Sequence, residues 1–134
     1  MTKHNRAMNE NDLQRAVAKV LDYYGMTWFH PPMEGFRNPR TGAHLKAKGM
    51  KAGIPDCMIF HPIGSSVDVE GRYWMCEHRG LAIELKVGKN KPTASQVEWQ
   101  DKLRACGWRV EVCRSLDEAL AVLHECYPDR FATT

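Results

Sequence analysis

The sequence has no hydrophobic run approaching the roughly 20 residues that span a bilayer, which argues against a helical membrane protein. It opens on Met1-Thr2-Lys3-His4-Asn5-Arg6, which is basic but leads into no apolar stretch of signal-peptide length. Five cysteines, an odd number, stand at Cys57, Cys76, Cys106, Cys113 and Cys126 without the spacing of a disulfide framework. A reducing compartment follows, and the expectation is a soluble cytoplasmic protein with no membrane partner. Cys57, His61, Cys76 and His78 can be written as a zinc tetrad, but no CxxC or HxxxH pair supports such a site. Gly-x-Ser-x-Gly elbows and phosphate-cradling glycine loops are missing too. His30, His44, His61 and His78 are too scattered for a nucleophilic constellation. Repeats, low-complexity tracts and linkers are also lacking.

What remains is 134 residues, 43% of them hydrophobic and 26% charged, enough for one domain that buries about two thirds of its unfolded surface. A single domain over residues 1–134 is expected, with its core at about 10–127. The net charge is only +3, but its distribution is uneven. From Gly35 to Pro55 there are Arg37, Arg40, Lys46, Lys48 and Lys51 and no acid. Lys86, Lys89 and Lys91 form a second acid-free cluster, and acids return at Asp68, Glu70 and Glu77. Such blocks read either as a phosphate-binding surface around something acidic or as two solvated basic loops.

Leu13, Val17, Val20, Leu21 and Tyr24 recur at helical spacing, with Gly25 placed to end that helix. Met26 to His30 reads as a strand stopped by Pro31-Pro32. The stretch from Glu34 to Pro55, punctuated by glycine and proline and without periodicity, reads as a long loop of the functional or mobile kind. Asp56 to His61 is a short apolar run typical of a central strand. Pro62 to Gly80 carries turn signals and room for a peripheral hairpin. Leu81 to Val87 alternates, with Leu81, Ile83, Leu85 and Val87 on one face and Ala82, Glu84 and Lys86 on the other. Thr93-Ala94-Ser95-Gln96 is a capping box for a helix ending at Gly107. Trp108 to Cys113 reads as a strand, and Ser115-Leu116-Asp117-Glu118 as a second capping box, for a helix that Pro128 stops. The fold class expected is α/β, a mixed sheet flanked by helices.

Three residues sit where their surroundings do not favour them. Asp56 follows Ile54-Pro55 and opens an apolar strand, and Glu84 and Lys86 interrupt another. Residues two apart on a strand point the same way, so Glu84 and Lys86 share a face that Asp56 can join from a neighbouring strand. Two carboxylates make a hard, oxygen-rich site for Mg²⁺ or Mn²⁺. A lysine beside them is suited to orient water and to stabilise charge developing on a phosphate. Trp28, Trp74, Trp99 and Trp108 read as core or interface residues rather than base-stacking platforms.

The run Gly53-Ile54-Pro55-Asp56 followed by Glu84-Leu85-Lys86 resembles the PD-(D/E)xK signature of restriction-endonuclease-like nucleases. More narrowly the chain is similar to the VRR-NUC domain. The similarity rests on Glu10-Asn11-Asp12-Leu13-Gln14, Phe29-His30, Glu34-Gly35, Leu45-Lys46-Ala47-Lys48-Gly49 and Lys51 to Asp56. It continues through Ala82 to Thr93, with Gln96, Trp99 and Gly107, and covers about Glu10 to Leu123. The resemblance implies a restriction-endonuclease-like sheet, Asp56 and Glu84 as metal ligands, and the backbone carbonyl of Leu85 as a further ligand. It implies that Lys86 positions the water, that Gln96 orients the site from its helix, and that Glu10 completes the site from the first helix. Gln96 is equally explained by its capping box, and Glu10 by the helix dipole. The excursion from Pro62 to Gly80 departs from compact members.

The expectation is a metal-dependent nuclease that hydrolyses DNA phosphodiesters with Mg²⁺ or Mn²⁺. Arg37, Arg40, Lys46, Lys48, Lys51, Lys89 and Lys91 would grip the backbone without reading bases. Stand-alone proteins of this type resemble Holliday-junction resolvases, which implies a homodimer acting on branched DNA such as a four-way junction or flap. The alternatives are a catalytically silent nucleic-acid-binding domain using the same basic surface, and a small zinc-binding module.

Overall fold

The computed structural model of the chain describes residues 7–32, 39–64, 66, 67 and 69–131. Helix α1 (Glu10–Tyr23) is opened by Asn9 and Asp12, whose side chains each accept the other's backbone N–H. Leu13, Val17 and Leu21 form its buried stripe. Strand β1 (Trp28–Phe29) follows, shorter at both ends than the Met26 to His30 of the sequence reading.

Helix α2 (Pro39–Ala47) corrects the expectation of an unbroken loop from Glu34 to Pro55. Its termination is regular. Gly49 N–H donates to the Lys46 carbonyl and Met50 N–H to the Leu45 carbonyl, a Schellman ending with Gly49 at φ +105°. The same pair of bonds ends α1 at Gly25-Met26.

Strand β2 (Cys57–Ile59) leads to a small hairpin of β3 (Ser66–Val67) and β4 (Tyr73–Met75), the peripheral hairpin that the turn signals suggested. Strand β5 (Leu81–Leu85), helix α3 (Ala94–Ala105), strand β6 (Arg109–Cys113) and helix α4 (Leu116–Cys126) complete the order. Thr93 caps α3 with the reciprocal bonds of a capping box, as its sequence predicts. At α4 only half of the expected box forms. The Ser115 hydroxyl accepts from Glu118 N–H, but the Glu118 carboxylate accepts from Arg114 N–H instead of the cap residue's own.

The main sheet has the order β1-β2-β5-β6, antiparallel except for the parallel β5–β6 pair. Strand β5 is buried along its whole length, as a strand covered on both faces must be. On one face Leu81, Ile83 and Leu85 pack with Cys57, Ile59 and Cys113 against α1 and α4, and Phe131 extends this core past α4. On the other, Met58, Ala82 and Val110 meet Leu103 and Trp99 of α3. Among the described residues no helix is long and apolar enough to cross a membrane.

Candidate active site

The register of β2 on β5 pairs Cys57 with Ile83 and Met58 with Ala82. Continued by one residue, it sets Asp56 opposite Glu84, and side chains so placed stand about 5 Å apart at Cβ. Both alternate onto the α3 face of the sheet, the face of Met58 and Ala82. The Asp56 carboxylate is fixed by the backbone N–H of Leu85, at 2.8 Å from Oδ2. The backbone carbonyl of Asp56 meets His30 Nδ1 at 2.7 Å, so β1 and β5 hold this residue from opposite sides.

Glu84 is 1% exposed and Lys86 8%, a depth at which charged side chains need partners. Burial, together with a hydrogen bond to Asp56 and its negative charge, pushes the Glu84 carboxyl up from an ordinary 4.5 to about 9. Lys86 opposes the shift, and Glu10 adds to it. Glu84 is therefore held toward its protonated, uncharged form beside Asp56. Glu84 Oε1 is buried without a hydrogen-bond partner. A buried carboxyl oxygen left open beside a second carboxyl group suits a hard divalent cation, which would satisfy the orphaned oxygen and displace the proton from Glu84. Asp56, half-buried, opens this pair to solvent.

Glu10 lies at the start of α1 and reaches Glu84 through its charge. Among the described residues, however, no three His, Cys, Asp or Glu side chains come together in metal-holding geometry. Gln96 Oε1 accepts from Thr93 N–H at 2.8 Å, so the capping role is the one its geometry displays. Leu85 contributes its N–H to Asp56, as above.

The entry to Asp56 is held by close packing that composition could not reveal. Gly53, at φ +92°, lies so near the start of α3 that a Cβ there would sit 2.5 Å from the Ser95 carbonyl oxygen. Pro55 next to it is fully buried. His30 and Gly53 were legible only as parts of a motif, because their roles are backbone contacts with segments distant in sequence.

Of the basic residues, Arg40, Lys46, Lys48 and Lys51 are exposed on α2 and the turn after it, and Lys89 and Lys91 on the turn after β5. That turn is clamped by Arg114, whose guanidinium donates to the carbonyls of Gly88 and Asn90. Arg37 falls outside the described residues, as do Glu34, Gly35 and Asp68. Cys57 and Cys113 are buried, with burial raising both thiols to about 12, so they behave as small apolar groups.

A solved structure described as a VRR_NUC domain protein superposes with a TM-score of 0.70, at 23% sequence identity, over 92% of this chain and 91% of that one. The chain has a VRR_NUC fold. No family model matches the sequence, and no curated protein matches it. Within this VRR_NUC fold, the mixed four-stranded sheet carries Asp56 and Glu84 side by side at the ends of β2 and β5, with Lys86 two residues further on.

Proposed function

We propose that this protein is a metal-dependent nuclease that hydrolyses DNA phosphodiester bonds. The observation that carries the reading is the buried Glu84 with its orphaned oxygen, next to the half-buried Asp56 and with Lys86 two residues on. The likeness to a protein named for a VRR_NUC domain supports the same class. Asp56, Glu84 and the Leu85 carbonyl would hold Mg²⁺ or Mn²⁺, with Glu10 close enough to add negative charge. The cation supplies Lewis acidity toward the phosphate and acidifies water at neutral pH.

The chain's own groups account for the rest. Leu85 N–H keeps Asp56 oriented, and His30 keeps its backbone from shifting. The buried Lys86 ammonium offers positive charge where negative charge develops on the phosphate, and it can orient the attacking water. The Thr93–Gln96 box fixes the start of α3, against which the Gly53 turn rests. Arg40, Lys46, Lys48, Lys51, Lys89 and Lys91 bind backbone phosphates without selecting sequence.

The finer reading is a structure-selective endonuclease acting as a homodimer on four-way junctions. One chain of this size carries one candidate site, and two-fold dimers, the commonest oligomer, would set two sites against symmetric strands. The test is a panel of end-labelled linear, nicked, flapped and four-way DNAs incubated with Mg²⁺ or Mn²⁺. Cleavage that needs the cation and favours branched DNA is expected, with paired cuts in the junction. Binding without cleavage on every substrate would leave a silent binding domain. Light scattering at the monomer mass of 15.3 kDa, or equal cutting of junction and linear duplex, would refute the dimeric resolvase.

A further inference from the structure

The described residues cover the α3 face of the sheet only in part. Between β1, the end of α2 and α3 lies a groove of about 560 Å³ whose walls include Phe29, Pro31, Met50, Ile54 and Trp99. That is within the usual range for a small-molecule site. Its rim carries Lys48 and Lys51, both exposed. Phe29 is 47% exposed and stacks on the equally exposed Phe60, so large aromatic surface stays in water here. Trp99 packs partly into the core, which is half of its sequence reading, and Lys102 lies 5.2 Å from its ring centroid. The other half, that it is no base-stacking platform, is what the groove calls into question. Its remaining surface lines the groove.

Flat apolar walls under a lysine rim complement one kind of group: an aromatic heterocycle attached to a phosphate chain. The location fits as well. Ile54 in the groove wall stands two residues before Asp56, and Phe29, also in the wall, precedes His30, which meets the Asp56 carbonyl. Two parts of the groove's wall therefore lead by chain to the candidate cleavage site. We propose that this groove receives an unpaired nucleobase of the strand to be cut, stacked against Trp99 and Phe29, with Lys48 and Lys51 on its flanking phosphates. The proposal rests on the nuclease reading and deepens it. A base paired within continuous duplex would have to be extruded to enter, whereas a bulge, flap or branch point offers one already free. Selectivity for structure then arises inside each protomer, from the lower cost of presenting a base.

The test measures binding in chelator, without cleavage, to a duplex carrying one bulged 2-aminopurine and to the same duplex fully paired. The full-length protein should bind the bulged duplex about tenfold more tightly and change the probe's fluorescence, since base–aromatic stacking is worth that much. Trp99→Ala should abolish the preference while leaving binding to paired duplex within about twofold, and Trp99→Phe should restore it. Should Trp99→Ala fail to fold, Phe29→Ser removes the exposed wall and its stack on Phe60 but no core residue, and should weaken the preference in the same way. Equal binding of the two duplexes by the wild type, or an undiminished preference in Phe29→Ser and a folded Trp99→Ala, would overturn the proposal. So would a concentration-dependent dimer that occupies the groove and dissociates in Phe29→Ser without any change in DNA binding. The nuclease reading fails separately, if Mg²⁺ and Mn²⁺ give no cleavage of any DNA even though the bulge preference is present.

Discussion

Glu84 binds its proton far more tightly in the folded chain than in the unfolded one, because burial and the neighbouring Asp56 disfavour its charge. The unfolded chain releases that proton near the ordinary 4.5, while the folded chain keeps it to about 9. Between those values the folded state holds the extra proton, so the metal-free protein should lose stability as pH rises, by up to about 1.4 kcal/mol per pH unit. Denaturant midpoints measured in chelator from pH 5 to pH 9 check this (about the span of the shift). Glu84→Gln keeps position 84 uncharged at every pH. It should flatten that slope and leave the metal-free variant more stable than wild type at pH 8, while removing cleavage. A Glu84→Gln variant less stable than wild type at alkaline pH would mean that Glu84 is ionised in the fold. His61 shows the opposite linkage. Its Nε2 accepts from Thr27 N–H at 2.8 Å, and burial, helped by Arg130, lowers its pKa. Its contribution is present above the ordinary 6.5 and is lost as pH falls, when protonation removes the accepting lone pair. His61→Gln, which keeps an acceptor, should reduce acid sensitivity in the same titration.

Elements were legible where a local signal and a buried stripe agreed. Leu13, Val17 and Leu21 with Gly25 defined α1, and Thr93 to Gln96 defined the start of α3. Helix α2 is hidden in the sequence although Gly49-Met50 carries the same terminating signal as Gly25-Met26 and Gly107-Trp108, which end α1 and α3 with identical bonds. Gly42 and the near absence of large apolar residues other than Leu45 concealed its helical period. The central pair of the site was visible because an acid and a lysine inside apolar strands contradict their context. Its supports were not, because His30 and Gly53 act by reaching across 26 and 42 residues of chain to Asp56 and Ser95. Gly53→Ala measures that support. The added methyl meets the Ser95 carbonyl, and φ +92° strains any side chain, so a loss of about 2 kcal/mol or more is expected together with reduced cleavage. Unchanged denaturant midpoint and activity would show that the turn before Asp56 does not depend on α3.

Across the molecule, the two faces of one sheet divide the labour. The α1–α4 face is continuously packed and includes the largest fully buried side chains, among them Phe131, Leu13, Leu21 and Leu123. The α3 face holds the smaller cluster, the carboxyl pair and the open groove, with the lysines of α2 and its following turn along one side. Net charge is small, so DNA affinity should depend on these local cations. Replacing Lys46, Lys48 and Lys51 together with Gln should weaken binding to all DNAs and flatten the log–log salt dependence by up to about three units. An unchanged slope would remove these lysines from the phosphate contacts. In the proposed function, Asp56, Glu84 and Lys86 form a cation-dependent cleavage site distinct from the surface that binds DNA. Cleavage of an end-labelled branched DNA, measured with Mg²⁺ or Mn²⁺ and after chelation, tests it most directly when Asp56→Asn, Glu84→Gln and Lys86→Ala are compared at matched occupancy. Cutting by wild type only with the cation, and losses of about a hundredfold or more in each variant at near-wild-type affinity, are predicted. Cleavage that survives chelation, or a wild-type rate in any of the three variants, would contradict the account.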